Sequence, residues 1–251
     1  MDYTQQIIIF LVALVSNWFS ALAGGGAGLS QLPALIFLGL PFPLALATHK
    51  VATVALGLGA TGRHLREGHL NWGIVALIIV AGGPAEILGV VTILDVPARI
   101  AEIILGMLTL ALVIYSLFKP ELGQANEAKH RDLSGLVIGA AVLFVFGFIN
   151  GALSAGSGLF VTLWLIYWFG LDYKTAVAQT MLGVGLVWNA TGAFSMGMLA
   201  EVQWSWIPAL LVGSLLGGYF GAHTSILSGN KVIKRVFELI TLIAAIKLLW
   251  G

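Results

Sequence analysis

The chain has no cysteine and very little charge. Without cysteine there is no disulfide, no thiolate metal site and no cysteine nucleophile. Charged residues fill only 9% of the 251 positions, against about 25% in an ordinary soluble domain. A chain so short of polar groups cannot cover its own surface in water. With 59% hydrophobic residues and a mean hydropathy of +1.00, its solvent is lipid. The formal net charge is +1. The basic residues sit scattered in short loops, not in a groove interleaved with aromatics, so nucleic acid is not an expected partner. No Gly-Lys-Ser/Thr follows a glycine run, which excludes a Walker A loop, and HExxH and GxSxG are both missing. His64 and His69 share a loop without metal-ligand spacing, so neither a metal nor a cofactor is expected.

What the chain has in quantity is glycine, 32 residues of it, and internal similarity. "GAGLSQLPALIFLGLPFPLALATHK" from Gly26 recurs as "GSGLFVTLWLIYWFGLDYKTAVAQTM" from Gly156. The match continues with "ATG" at 60–62 and 190–192, and with "AGGPAEILG" (81–89) against "VGSLLGGYFG" (212–221). Repetition at this scale marks two copies of one structural unit. We expect a first transmembrane module over 1–118, a polar cytoplasmic linker "KPELGQANEAKHRD" over 119–132, and a second module over 133–251. The first apolar run ends in Ala21-Leu22-Ala23, like a signal peptide. It has no basic stretch before it, and the repeat makes it part of the fold.

Each copy reads as five apolar segments, roughly 6–23, 28–39, 43–62, 71–92 and 98–118, then 133–154, 158–170, 173–194, 205–224 and 231–250. The fold class is therefore an all-α integral membrane protein. A helix over 28–39 rises about 18 Å and cannot cross a hydrocarbon core of about 30 Å. The glycine run before it must then break the helix at depth, which hydrocarbon permits only where protein or water satisfies the backbone. If the first two segments form a hairpin, each module crosses an odd number of times and the copies are inverted repeats. Arg63, Arg66, Lys119, Lys129, Arg131, Lys174, Lys231, Lys234 and Arg235 then share one face. A straight broken helix instead divides them almost evenly. Cytoplasmic loops collect Lys and Arg, so the hairpin is expected, with both termini outside the cytoplasm.

A short helix starting near Gly28 directs free N–H groups, and about half a positive charge, into the membrane interior. Gly24, Gly25 and Gly26 let backbone approach a solute without a Cβ in the way. This is the helix-terminus type of anion site, repeated at "SAGSG" (154–158) with Gly156, Ser157 and Gly158. The competing reading is close helix packing, which fits Gly82, Gly83, Gly213, Gly217 and Gly218. For the two breaks, each followed by a short helix, the site reading is favoured. Inverted repeats with broken helices meeting near the midplane are the architecture of secondary transporters. Ser30, Gln31, Thr48, Gln179 and Thr180 are candidate donors. Lys50, about 10 Å into its segment, either draws an anion or snorkels to the headgroups. His49 is a ligand, a proton carrier or a hydrogen-bonded bridge between helices. Asn189 lines the site or joins helices. Glu86 couples transport to protons or pairs statically with a base.

These residues resemble a known family. The glycine break from Gly24 followed by Pro33, "LALATHKVA" and "GHLNW", together with "GFINGALSAGSG" and "VAQTMLGVGLVWNATG", is similar to the TauE/SafE family of sulfite and organosulfonate exporters. The resemblance spans nearly the whole chain. Two positions depart from the pattern: His49 stands where members usually carry asparagine, and the second glycine run is thinned to Ala155-Gly156-Ser157-Gly158. The resemblance implies no enzyme but a secondary transporter. It would export a small sulfur-containing anion such as sulfite or sulfoacetate across a prokaryotic cytoplasmic membrane by alternating access. A channel or carrier for another small anion, such as a carboxylate, is the alternative; a membrane enzyme or cofactor scaffold is a weaker one. Oligomeric state is not legible.

Overall fold

A computed structural model describes residues 3–68, 70–92, 98–154 and 156–250. His69 and Ala155, which figure in the sequence reading, lie outside the described residues. Ten helices follow one another: α1 Tyr3–Ala23, α2 Ala27–Phe37, α3 Phe42–Leu65, α4 Trp72–Thr92, α5 Ala98–Leu117, α6 Leu133–Leu153, α7 Ser157–Phe169, α8 Tyr173–Leu199, α9 Ile207–Ser228 and α10 Asn230–Trp250. Among the described residues no strand occurs, so the chain is an all-α membrane protein. Six of the helices (α1, α3, α4, α6, α8 and α9) are long and apolar enough to cross a bilayer, whereas α2 and α7 are short. Apolar side chains such as Val80, Val137, Val145, Val212 and Phe220 are at least half exposed, as suits a lipid-facing surface.

The expected segment ends agree to within a few residues, with one difference in kind. Within α8 the stretch Met181–Trp188 is wound as a π-helix. Its wider turn has no hydropathy signature, since every residue in it is apolar or glycine. The wide turn lies against α3, where a Cβ on Gly57 would strike the Gly185 carbonyl. Trp188, fully buried, donates its indole N–H to Ile78 O of α4 at 2.9 Å.

Both glycine breaks reverse the chain. Gly24, Gly25 and Gly26 take φ of +87°, +149° and +102°, which residues with a Cβ adopt only at a cost. Asn17 of α1 then reaches Gln31 of α2, Nδ2 to Oε1, at 2.7 Å. Fourteen residues of straight helix would hold these two about 21 Å apart. In the second half the rings of Phe146 and Phe160 stack 5.6 Å apart across the equivalent turn.

Helix pairing is reciprocal between the halves: α1 lies against α9 and α6 against α4, while α5 lies against α10. Small residues make the close approaches. On α9, Gly213, Gly217 and Gly221, one per turn, face the carbonyls of Phe10, Leu14 and Trp18 on α1. On the other seam Gly147 and Gly151 of α6 face the carbonyls of Gly82 and Glu86. Such grooves let backbones pack where lipid offers no hydrophobic drive. Gly83, grouped with the packing glycines from sequence, instead faces open space, because it sits one position past Gly82 on the far side of α4.

Loops gather at two ends. At one, Glu127 N–H donates to Gly170 O at 2.7 Å, Tyr173 N–H to Gly123 O at 3.0 Å and Lys234 Nζ to Lys119 O at 2.9 Å. This end carries the 119–132 segment. At the other, Gln6 Nε2 donates to Ser205 O at 3.3 Å and Gln203 N–H to Thr48 Oγ1 at 3.0 Å. The seam glycines make a direct prediction. Gly221→Ala should destabilise the detergent-solubilised protein by about 1–3 kcal/mol through overpacking, and Gly83→Ala should leave its melting curve unchanged.

Candidate functional site

The two breaks meet. A Cβ on Gly25 would stand 2.5 Å from Gly158 C and Leu159 N, and one on Gly158 would stand 2.9 Å from Gly25 Cα. Thr162 of α7 donates to Gly24 O at 2.8 Å, and its hydroxyl also lies 2.9 Å from Thr180 Oγ1. The first break is thereby tied to the second half. The helix starts at Ala27 and Ser157 consequently face one small polar cavity with about 30 Å³ of space. A water needs roughly 10–15 Å³ on this measure, so the cavity has room for about two waters.

Helix geometry leaves first-turn amides without a carbonyl one turn behind them. In both short helices the third amide folds onto the cap: Leu29 N–H to Gly26 O at 3.0 Å, Leu159 N–H to Gly156 O at 2.9 Å. The first two positions of each, Ala27 and Gly28, Ser157 and Gly158, line the cavity. Two dipole ends of about half a positive charge each therefore converge there. No carboxylate is among the lining residues.

Of the expected site residues, Gly25, Gly26, Gly28, His49, Gly156, Ser157, Gly158 and Asn189 line this cavity. His49 is 1% exposed and its Nδ1 has no hydrogen-bond partner. A buried polar atom left unpaired costs about 1–3 kcal/mol, so this one marks a place where a ligand is worth seeking.

Others face elsewhere. Ser30 is exposed. Gln31 is buried against Asn17, whose amide also reaches Ser214 Oγ at 2.9 Å. Both sit a turn past the helix start, where rotation of about 100° per residue carries them off the cavity. Gly24 is held against Thr162. Thr48 donates to Leu44 O at 2.6 Å and accepts from Gln203 N–H, being one residue round from His49. Thr180 is buried on Thr162, and Gln179 is buried outside the lining.

Beside the cavity lies a buried ion pair. Lys50 Nζ stands 2.7 Å from Glu86 Oε1, and both side chains are 0% exposed. Lys50 Nζ also donates to Asn150 O at 2.9 Å, and Asn150 Nδ2 donates to Glu86 Oε2 at 2.8 Å. Ser157 donates to Asn150 Oδ1, while Asn150 Nδ2 lies 3.3 Å from Asn189 Oδ1. Of the alternatives open for Lys50 and Glu86, the geometry is that of a completed pair, with Lys50 drawn inward and not snorkelling to the headgroups. Asn150 joins both charges to the second helix start, and it was missed as a site residue. Its signal was available, a lone amide four residues before a glycine-broken turn in an otherwise apolar run. Ser20, Thr53 and Ser154 also line the cavity unforeseen. Among the described residues no cluster of His, Asp or Glu suits a metal ion.

The family profile described as "Sulfite exporter TauE/SafE" matches residues 9–248. The chain belongs to the TauE/SafE family. It is 28% identical over 247 residues to a Haemophilus influenzae protein named "Probable membrane transporter protein", covering 97% of this chain and 94% of that one. It is 26% identical to the Escherichia coli K12 protein named "Probable membrane transporter protein YfcA", over 97% and 89% of the two chains. To the Bacillus subtilis protein named "Probable membrane transporter protein YjnA" it is 26% identical, over 98% and 100%. No solved structure matches. This TauE/SafE chain is thus a multi-pass membrane transporter, which sits in a bilayer and binds a small substrate.

Removing one member of a buried pair leaves an uncompensated charge, which costs about 3–5 kcal/mol. Glu86→Ala should therefore lower the unfolding free energy in micelles by about that much. The double variant Lys50→Met with Glu86→Leu should recover most of the loss.

Proposed function

We propose that this TauE/SafE member exports a small sulfur-containing anion, sulfite or a short sulfonate, from the cytoplasm of a prokaryotic cell by alternating access. One observation carries the reading: two short helices present their amino ends to one cavity that holds no carboxylate and an unpartnered His49 Nδ1. A sulfur oxyanion offers only acceptors, and that cavity offers chiefly donors. Candidate donors are the amides of Ala27, Gly28, Ser157 and Gly158 and the hydroxyls of Ser20 and Ser157. Lys50 supplies charge from one hydrogen bond away, through Asn150. The family description supports sulfur chemistry in the substrate.

In this reading the modules are 1–118 and 133–251, joined by 119–132. Each makes a hairpin and three crossings, an odd number, so the second is inverted. The end bearing the 119–132 segment, rich in Lys and Arg, faces the cytoplasm, and both termini lie opposite. Apolar clusters flank the cavity, one around Leu35, Leu46, Met196 and Trp206, the other around Ile78, Leu143, Ile166 and Phe169. Each acts as a gate in turn when the modules rock about the breaks. Two waters' worth of room is less than a sulfonate needs, so the breaks part when substrate enters.

Calorimetry on protein in nanodiscs tests this. Sulfite and methanesulfonate should bind, and acetate should bind more weakly. Ser157→Ala removes a hydrogen bond to a charged group, worth about 1.5–3 kcal/mol, so affinity should fall roughly ten- to a hundredfold. Equal or tighter binding of acetate would move the substrate class to carboxylates.

A further inference from the structure

We propose that Lys50 is a shared cation, held by Glu86 in the empty transporter and given to the anion in the loaded one, with Glu86 taking up a proton in exchange. The inference rests on the anion site described above and adds its coupling. It follows from charge and connection around one asparagine. Lys50 and Glu86 are both fully buried and bonded at 2.7 Å, so their charges cancel at no contact with water. A monoanion entering the adjacent cavity would leave one uncompensated negative charge in a region of low dielectric, which is strongly disfavoured. A proton on Glu86 restores neutrality, because Lys50 then answers the anion alone.

The wiring for the exchange is present. Asn150 holds both partners, accepting from Lys50 through its carbonyl at 2.9 Å and donating to Glu86 Oε2 at 2.8 Å. Its Oδ1 accepts from Ser157, the first residue of α7, and both residues line the cavity. An anion that takes the Ser157 hydroxyl deprives Asn150 of that donor. The amide then turns and loosens its hold on Glu86.

Among the described residues, three helices bring groups to Glu86 or its partners. α3 brings Lys50 and, beside it, His49; α6 brings Asn150 and Gly151; α8 brings Asn189 and Gly192. A Cβ on Gly192 would overlap Glu86 Oε1 and stand 3.0 Å from Lys50 Nζ, so α8 leaves the pair room but no competing charge. His49, next to Lys50 on α3, is the titratable residue among those that line the cavity. Anion and proton travel together in this scheme, one of each, and the cycle is electroneutral. Flux runs whichever way the product of their concentrations falls, which is outward when the anion accumulates in the cytoplasm.

The test uses methanesulfonate, whose charge does not change near neutral pH. Binding to the intact protein in nanodiscs is measured by calorimetry in two buffers of different ionisation heat. The wild type should take up about one proton per anion, and its affinity should fall about tenfold per pH unit on the alkaline side. Glu86→Gln, a standing mimic of the protonated acid, should bind without proton uptake and with affinity independent of pH. Per anion bound, His49→Asn should still take up the proton; binding without uptake in that variant would overturn the assignment to Glu86. Wild-type binding without proton uptake overturns the shared cation while leaving the anion site standing. No binding by wild type or Glu86→Gln at any pH removes both. Should Glu86→Gln fail to fold, the buffer comparison on wild type decides alone.

Discussion

Backbone that leaves its helix inside hydrocarbon must find partners within the protein. That constraint organises everything else here. Two interruptions at membrane depth are affordable because they satisfy each other: Thr162 of one half bonds Gly24 of the other, and Gly25 lies against the Gly158 backbone. Neither short helix could sit where it does alone. The meeting point also brings first-turn residues of both short helices to one space, so the cavity is a by-product of how the fold is closed.

Around that centre the two halves are alike in path and unlike in chemistry. Each has a hairpin, a buried amide near the turn and a glycine seam. Asn17 and Gln31 of the first half join Ser214 of the second in a neutral cluster. The second puts Asn150 and Ser157 against Glu86 and Lys50. Symmetry of backbone with asymmetry of charge sets a neutral polar cluster behind one helix start and a buried ion pair behind the other.

Much of this could be read from residue order. The segments, the two breaks and the reversal of the chain followed from length, glycine and the placement of Lys and Arg. What could not be read is helix rotation. Lys50 and Glu86 lie 36 residues apart on separate helices, and hydropathy does not say which way either points when the whole helix is apolar. For the same reason Ser30 and Gln31, adjacent to the break, were grouped with it although their helix turns them away. The π-wound stretch from Met181 to Trp188 was invisible because it changes winding without changing composition. Asn150 is legible in the sequence, because an amide in an apolar run carries information similar to a charge.

The reciprocal pairing has a consequence for biosynthesis. The partner of the first helix is the ninth, and Asn17 waits for Ser214, 197 residues later. At roughly 5–20 residues per second that interval is about 10–40 s, during which the grooves of the amino-terminal half have only lipid or the insertion machinery to fill them. Neither half completes its own seam, so a ribosome that stops between them leaves a product with its polar centre uncovered.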